Sequence, residues 1–172
     1  MPGRLSISAG NHDEREASMF NETLCNNLSD LIDRSWDSFG MLVLELPSAN
    51  ILALVTRLKR EFGFDLLLDI TGVDYPEREP RFDVVYHLYS TRHTTRIRLK
   101  TKVSEAGASI PSLSGLYGSA RYIERELNDM YGITSSGNSD LRPILLYEGF
   151  IGHPLRKDYP IDREQPIVAY RK

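Results

Sequence analysis

Charged residues on the third predicted helix are the first candidates for chemistry. Residues 119–133 carry Glu124, Arg125, Glu126 and Asp129. Two carboxylates act as general acid and base only if both reach the reacting atoms. Glu124 and Glu126 are two positions apart on a helix, so their side chains project in different directions. The spacing favours a solvated helix face, with an ion pair between Arg125 and Asp129, over a catalytic pair.

The second candidate is the irregular segment 148–160, EGFIGHPLRKDYP. Its Gly and Pro residues disfavour helix and strand. Two interpretations stay open, a surface loop and a recognition arm that docks on another protein. In a recognition arm, Arg156 would form a bidentate pair with a carboxylate of the partner. Phe150, Ile151 and Leu155 would then fill apolar pockets of that partner.

A row of cations is the third candidate. Arg96, Arg98 and Lys100 alternate along a predicted strand, and Phe82 and Tyr86 lie on its neighbour. Cations and aromatic rings on one sheet surface would suggest an RNA-binding module. The alternation of residues, however, predicts that the aromatic rings and the cations lie on opposite faces. A solvated or partner-facing sheet surface is therefore favoured.

Composition excludes several other kinds of site. The chain has 172 residues and a formal net charge of -3, whereas proteins that bind nucleic acid mainly through phosphates are usually basic. Cys25 is the only cysteine, so this chain alone cannot supply a Cys-ligated iron–sulfur cluster. The four His have no metal-site spacing, and nucleotide-binding and nucleophile-elbow motifs are missing. No apolar run approaches the roughly 20 residues that cross a bilayer. We predict no catalytic, cofactor-binding or metal-binding residue.

The periodicity of apolar residues predicts one α+β domain. We expect a mixed, mainly antiparallel four-stranded sheet with helices packed on one face, an extra N-terminal helix and an extended C-terminal arm. The predicted helices cover residues 14–34, 48–62 and 119–131, and the predicted strands cover residues 39–46, 64–71, 82–90 and 95–103. The expected organisation is a mobile tail at 1–13, the α+β domain at 14–135 and a docking arm at 136–172.

The chain resembles the 30 kDa subunit family of respiratory complex I, whose bacterial members are the C subunits and whose mitochondrial members are called Nad9. The motifs that carry the resemblance are ERE at 124–126, DMYGI at 129–133 and GFIGHPLRKD at 149–158. The stretches DITGVDYP at 69–76 and RFDVVY at 81–86 are most similar to the mitochondrial members.

Four positions depart from the family pattern. Tyr122 and Asn128 stand where members usually carry Trp, Asn138 replaces a usual His, and Pro143 replaces a usual Arg. These departures concern the packing around the third helix, and the motifs above are retained.

The resemblance implies a structural subunit of the hydrophilic arm with no cofactor of its own and no activity alone. It would pack against the 49 kDa subunit near the quinone site, while FMN, iron–sulfur clusters and quinone belong to the complex as a whole. The expected location is the matrix side of the mitochondrial inner membrane, peripheral and not spanning, with the cytoplasmic face of a bacterial plasma membrane as the alternative. The predicted partner-interface residues are Glu124, Arg125, Glu126, Asp129, Phe150, His153, Pro154, Leu155, Arg156, Lys157 and Asp158.

Two other functions stay open beside this one. A membrane-bound hydrogenase-type complex uses a homologous subunit, and copurification with NADH-oxidising subunits would separate the two complexes. A small sheet-based nucleic-acid-binding module is the alternative from another class, and it would show salt-sensitive RNA binding.

Overall fold

The computed structural model describes the backbone of residues 10–165 and the side chains of residues 17–165. This part of the chain contains three α-helices and seven strands. In chain order they are α1 (Gly10–Asn27), β1 (Arg34–Ser38), β2 (Met41–Glu45), α2 (Ile51–Glu61), β3 (Leu66–Asp74), β4 (Phe82–Ser90), β5 (Thr95–Val103), β6 (Ser109–Pro111), α3 (Ala120–Tyr131) and β7 (Thr134–Ser136).

Five strands form the main sheet, in the order β1-β2-β5-β4-β3. β2 and β5 run parallel, with Leu44 opposite Leu99, and the other neighbouring strands are antiparallel. β6 and β7 pair in parallel as a separate two-stranded sheet. The predicted α+β fold with a mixed, mainly antiparallel sheet is confirmed, with five strands where the sequence indicated four.

One face of the main sheet carries the hydrophobic core, and the helices pack against it. Leu24 of α1 and Leu127 of α3 belong to the same buried cluster as the inward side chains of the sheet. The spacing of three and four residues on α2 places one apolar stripe against that cluster. The stripe consists of Ile51, Leu54, Val55 and Leu58.

The N-terminal region differs from the prediction at two places. α1 ends at Asn27 instead of near residue 34, because the run NNLSD at 26–30 consists largely of poor helix formers. The strand β1 follows, which the sequence pattern did not reveal, and it pairs with β2. Its only large apolar residue is Trp36, since an edge strand outside the core needs no run of apolar side chains.

The second face of the main sheet carries the cations. Tyr86 lies opposite Leu99 in the core, whereas the next pair along the strands, His87 and Arg98, points to the other face. Phe82 and Tyr86 are completely buried. The predicted separation of Phe82 and Tyr86 from the cations is confirmed, so these two rings cannot stack on bases on the surface that carries the cations.

Residues 137–165, which we call the C-terminal strap, contain no helix or strand. They form a series of turns that are hydrogen-bonded to α3 and to the end of β3. Of the predicted mobile tail, residues 10–13 belong to α1 and residues 1–9 lie outside the described part of the chain. The end of the predicted arm, residues 166–172, also lies outside it.

Candidate functional site

The strap begins at a buried carboxylate of α3. Glu124 is completely buried and accepts hydrogen bonds from the amide N–H of Leu113 at 2.7 Å and from the hydroxyl of Ser112 at 2.8 Å. It also accepts one from the side-chain amide of Asn138 in the strap at 2.8 Å. A buried carboxylate is tolerated only when such donors replace water. Glu124 therefore ties the strap to the loop before α3, and Asn138, a departure from the family pattern, supplies one of its donors.

The next part of the strap is bound by a second carboxylate on α3. Asp129 is 5% exposed, and its Oδ2 accepts the amide N–H groups of Ile144, Leu145 and Leu146 at 2.8, 2.9 and 3.2 Å. Three consecutive main-chain donors are thus directed at one oxygen. This arrangement fixes the backbone where it turns over the helix.

Arg125 completes the attachment of this part of the strap. Its guanidinium donates to the main-chain carbonyls of Arg142 at 2.8 Å and Pro143 at 2.9 Å. The predicted solvated face is therefore wrong for Glu124 and Asp129, because the strap covers both carboxylates. Arg125 binds strap carbonyls and Asp129 binds strap amides, so neither serves the intrahelical pair expected between them.

The end of α3 is capped by two strap side chains. The last carbonyls of a helix have no partner within the helix. His153 Nδ1 donates to the carbonyl of Asp129 at 2.9 Å, and Arg156 Nε donates to the carbonyl of Tyr131 at 2.7 Å. A guanidinium at this position also opposes the negative end of the helix dipole. His153 and Arg156 thus hold the GHPLRKD segment against its own domain.

Beside this cap lies a network of five charged side chains. Arg81 donates to Asp74 from Nε at 2.7 Å and from Nη2 at 2.8 Å. Its Nη1 reaches Glu105 and Asp158, each at 3.0 Å. Arg156 Nη1 also donates to Glu105 at 3.0 Å. The network joins β3, the start of β4, the loop after β5 and the strap in one place.

Two further contacts support the network. The amide N–H of Lys157 donates to Asp74 Oδ2 at 2.7 Å. The guanidinium carbons of Arg81 and Arg156 lie 5.2 and 5.1 Å from the ring centroid of Phe82, a distance at which cations interact with aromatic rings. Phe82 therefore forms an apolar floor beneath both cations.

The electrostatics of the network follow from these contacts. The hydrogen bonds from Arg81, together with the amide of Lys157, hold the pKa of Asp74 below its usual range. The hydrogen bond from Arg81 likewise lowers the pKa of Asp158. The same carboxylates raise the pKa of Arg81, with Asp74 the main cause. All three groups are therefore charged at neutral pH, which suits a structural clasp and not proton transfer.

The strap also exposes some of the predicted interface residues. Leu155 is 50% exposed although its amide N–H donates to the carbonyl of Met130, and Lys157 and Asp158 are exposed. Glu126, which lies on α3 and not on the strap, is exposed as well. Pro154 is half-buried.

Phe150 is half-buried, with its ring 5.5 Å from that of Tyr147 and 6.1 Å from that of Tyr159. It is therefore an internal contact of the strap. The assignment of these residues to a partner interface stays a prediction.

Sequence reasoning missed Asp74, Arg81 and Glu105 as members of this site. Asp74 and Arg81 lie seven positions apart at the ends of a loop, and nothing in their spacing distinguishes them from solvated residues. Only the family-like stretches at 69–76 and 81–86 pointed to the region.

Within the described side chains, no group of His, Cys, Asp and Glu is arranged to hold a metal ion. Among residues 10–165, no helix combines the length and the apolar composition needed to cross a bilayer.

Solved structures share this α+β fold. The trypsin-resistant fragment (1-134) of Nqo5 matches with a TM-score of 0.62 and 30% identity, over 74% of this chain and 99% of that chain. A chain of the membrane-bound sulfane sulfur reductase, an archaeal respiratory membrane complex, matches with a TM-score of 0.67 over 76% of each chain. The second match is 22% identical and shows the fold alone. The fold thus occurs in a chain of a respiratory membrane complex.

The family model for the 30 kDa subunit of the respiratory-chain NADH dehydrogenase matches residues 44–165. This chain belongs to that family, and the resemblance seen in its motifs is confirmed. The matched range contains α2, α3 and the C-terminal strap.

Relatives named as the C subunit of NADH-quinone oxidoreductase match the same region. The Phenylobacterium zucineum protein is 52% identical over 124 residues, covering 72% of this chain and 59% of the relative. The Paramagnetospirillum magneticum protein is 46% identical over 134 residues, covering 77% and 67%. The Agrobacterium fabrum protein is 48% identical over 126 residues, covering 72% and 62%. The chain therefore spans roughly three fifths to two thirds of the length of these bacterial relatives.

Proposed function

We propose that the chain is a non-catalytic structural subunit of the hydrophilic arm of a proton-pumping NADH:quinone oxidoreductase, respiratory complex I. Its family and the names of its relatives support this proposal. In the assembly it binds the 49 kDa subunit near the quinone site. It holds no cofactor of its own, since its single Cys25 cannot ligate a cluster, and FMN and the clusters belong to other subunits.

The observation that carries the proposal is the fixed path of the strap. Its backbone is bound by Asp129 and the Arg81 network, yet it turns large apolar side chains toward solvent. Prior ordering of a binding segment reduces the entropy lost on association. Exposed apolar side chains on an ordered segment are typical of a protein contact. These side chains are Ile144, Leu145, Ile151 and Leu155, which are 38%, 60%, 52% and 50% exposed.

The charged residues of the strap have a separate role in this proposal. Arg156 and Asp158 hold the strap on its own domain, through Tyr131, Glu105 and Arg81. Direct contact with the 49 kDa partner is made by Leu155 and the other exposed apolar side chains. Reversal of the Arg156 charge would then act on the position of the strap and through it on assembly.

For the location, we propose a peripheral position on the membrane at the matrix side of the mitochondrial inner membrane, as the mitochondrial-type motifs suggest. The cytoplasmic face of a bacterial plasma membrane is the alternative, and the bacterial relatives support it. Fractionation of the source cells distinguishes the two.

The double variant Leu145→Asp/Leu155→Asp tests the docking role. Both side chains are at least half exposed, so we expect the melting temperature of the isolated chain to change little. We expect the chain to be lost from the large complex on native gels of solubilised membranes, with a parallel loss of NADH:quinone reductase activity. Leu52→Asp is the matched control, because Leu52 is also a partly exposed leucine, at 43%, but belongs to α2 and not to the strap. Wild-type levels of complex in the double variant would refute docking through the strap.

A further inference from the structure

The face of the main sheet that the helices leave uncovered has an organised row of side chains. The strand register places one residue of each strand in this row, from β3 to β1. Side chains directly opposite on neighbouring strands lie close enough to interact. The row consists of Asp69, His87, Arg98, Val43 and Trp36.

Cations elsewhere on this face have carboxylate partners. Glu45 binds Arg34 at 2.6 Å and Lys102 at 2.7 Å. Asp83 binds Lys100 at 3.3 Å and also pairs with Arg78. Intrachain ion pairs thus neutralise one half of the uncovered face.

Arg96 and Arg98 differ from these cations. Among the described residues, neither forms an ion pair, although Arg96 is exposed and Arg98 half-buried. The Nε atom of Arg98 is buried and has no hydrogen-bond acceptor. An unsatisfied donor on a charged group is unfavourable, and acceptors are usually found for such groups. The second half of the face therefore has two cations and a buried donor without a counterion.

The charge of Arg98 affects a neighbouring histidine, and apolar side chains lie in the same row. The pKa of His87 is lowered by burial and by the charges of Arg98 and Arg96, while Asp69 opposes the shift. Val43, opposite Arg98 on β2, is only 1% exposed, and Trp36 at the end of the row is 37% exposed. The unpaired Arg98 thus lies beside the apolar Val43, in a row that ends with Trp36.

We propose that this uncovered face receives an acidic segment of a neighbouring subunit, with a carboxylate of that segment bound by Arg98 and Arg96. The inference rests on the proposed function, because it takes the neighbour to be a subunit of the same complex. A guanidinium pairs with a carboxylate through two parallel hydrogen bonds. Because Nε of Arg98 is buried, the docking carboxylate would take its hydrogen bonds from the Nη atoms of this half-buried side chain.

Charge complementarity favours an acidic protein segment over other anions. Glu45, Asp69 and Asp83 lie on the same face and would repel any anion spread across it, whether a polyphosphate chain, an anionic membrane or a run of acidic residues. The segment that docks here therefore brings a single carboxylate to Arg98 and Arg96. A discrete carboxylate fits two adjacent unpaired cations without meeting these groups. Phe82 and Tyr86 are buried on the other face. Of the rings on the cation face, Trp36 lies 5.7 Å beneath the guanidinium of Arg34 and Tyr89 is half-buried, so neither is a free platform for RNA bases.

Zero-length cross-linking of the assembled complex tests the proposal. Arg98→Lys keeps the positive charge and introduces an amine that a water-soluble carbodiimide couples to a carboxylate in contact. We expect mass spectrometry to find position 98 joined to Asp or Glu of another subunit. We also expect protection of this lysine from an amine-acetylating reagent in the complex, although it is labelled in the isolated chain. A lysine at 98 that is labelled equally in both and gives no interchain product would overturn the proposal.

A charge-reversal pair gives the second measurement. For Arg96→Glu/Arg98→Glu we expect a roughly tenfold or greater loss of the chain from the large native-gel band. The reason is that the carboxylate of the partner would be buried at the interface without its cation. Arg60→Glu, an exposed cation at the end of α2, is the control and should be retained. Retention of the double variant at the Arg60→Glu level would contradict the proposal.

Two other outcomes are distinguishable. Binding of polyuridylate, or of vesicles containing phosphatidylglycerol, that the double reversal abolishes would assign the face to a phosphate-bearing ligand and overturn the acidic-segment proposal. If the wild-type chain is absent from any large NADH-oxidising complex, the proposed function fails as well. If it is present there with position 98 open to solvent, only the docking of the sheet face fails.

Discussion

Arg81 and Asp74 form a bidentate ion pair inside the domain, with N···O distances of 2.7 and 2.8 Å and side-chain exposures of 7% and 0%. The pair lies where β3 ends and β4 begins. Because Arg81 also binds Asp158, and Asp74 also accepts the amide of Lys157, the same pair fastens the GHPLRKD segment. The GHPLRKD segment, which most strongly indicates the family, is thus bound to its own domain.

Removal of the Arg81 side chain should destabilise the fold strongly. In Arg81→Ala, Asp74 stays buried without its cation, and we expect the free energy of unfolding to fall by about 3–5 kcal/mol. Urea denaturation measures the change. Arg34→Ala is the matched control, because the Arg34 side chain that pairs with Glu45 is 65% exposed and the pair should contribute less than about 1 kcal/mol. Equal losses in the two variants would show that the buried pair has no special role.

Acid should weaken the ion pairs of Arg81 with Asp74 and Asp158. The pKa of Asp74 and that of Asp158 are lowered in the folded state, mainly by Arg81, from an ordinary value of 3.8. The stabilisation is therefore complete above this value and is lost as the pH falls through the folded-state pKa. We expect the urea concentration at the unfolding midpoint to decrease as the pH is lowered from about 5 to about 2. Asp158→Asn should weaken the dependence of the midpoint on pH, whereas the control Asp162→Asn, at an exposed position, should leave it unchanged.

Two glutamates of α3 should respond very differently to substitution. Glu124→Ala leaves the buried amide of Leu113 without an acceptor and frees Asn138, and we expect a loss of about 3 kcal/mol. Glu126→Ala, two positions along the same helix but exposed, should change stability by less than about 0.5 kcal/mol. Thermal unfolding followed by circular dichroism measures both. Similar values for the two would contradict the anchoring role of Glu124.

Packing of the strap against the end of α3 depends on Gly132. Its φ is 72°, and a Cβ there would overlap the His153 ring and lie 2.9 Å from Arg156. Gly40 has a similar φ of 77° with open space around it. Gly40→Ala should therefore show only the backbone strain of about 1–2 kcal/mol.

Gly132→Ala adds displacement of the strap to that strain. We expect it to be about 1–3 kcal/mol more destabilising than Gly40→Ala. Hydrogen exchange should become faster at the amides of Leu155 and Lys157, which donate to α3 and to Asp74. If exchange in the strap is the same in both variants, the strap does not pack on Gly132.

The apolar periodicity was sufficient to predict α2, α3 and the four strands β2, β3, β4 and β5, because burial of one face imposes a regular spacing. β1 escaped prediction because it is an edge strand with Trp36 as its only large apolar residue. The extent of α1 was overestimated because Leu28, Leu31 and Ile32 continue the apolar spacing after the helix has ended.

The anchoring of the strap could not be predicted from local patterns. Glu124 and Asp129 are charged residues on an amphipathic helix, and such residues are normally solvated. Their burial depends on a strap that returns from later in the chain, and Arg81 similarly meets Asp158 from 77 positions away. Spacing along the chain contains no information on such contacts. The motif GHPLRKD indicated the importance of the region, but not that Arg156 contacts its own domain.

The most direct test of the central claim is native-gel fractionation of mildly solubilised membranes, with mass spectrometry of every band that contains this chain. We predict comigration with NADH-binding subunits and the 49 kDa subunit in one very large band. Recovery of the chain only as a small species without these partners would contradict its assignment as a subunit of NADH:quinone oxidoreductase.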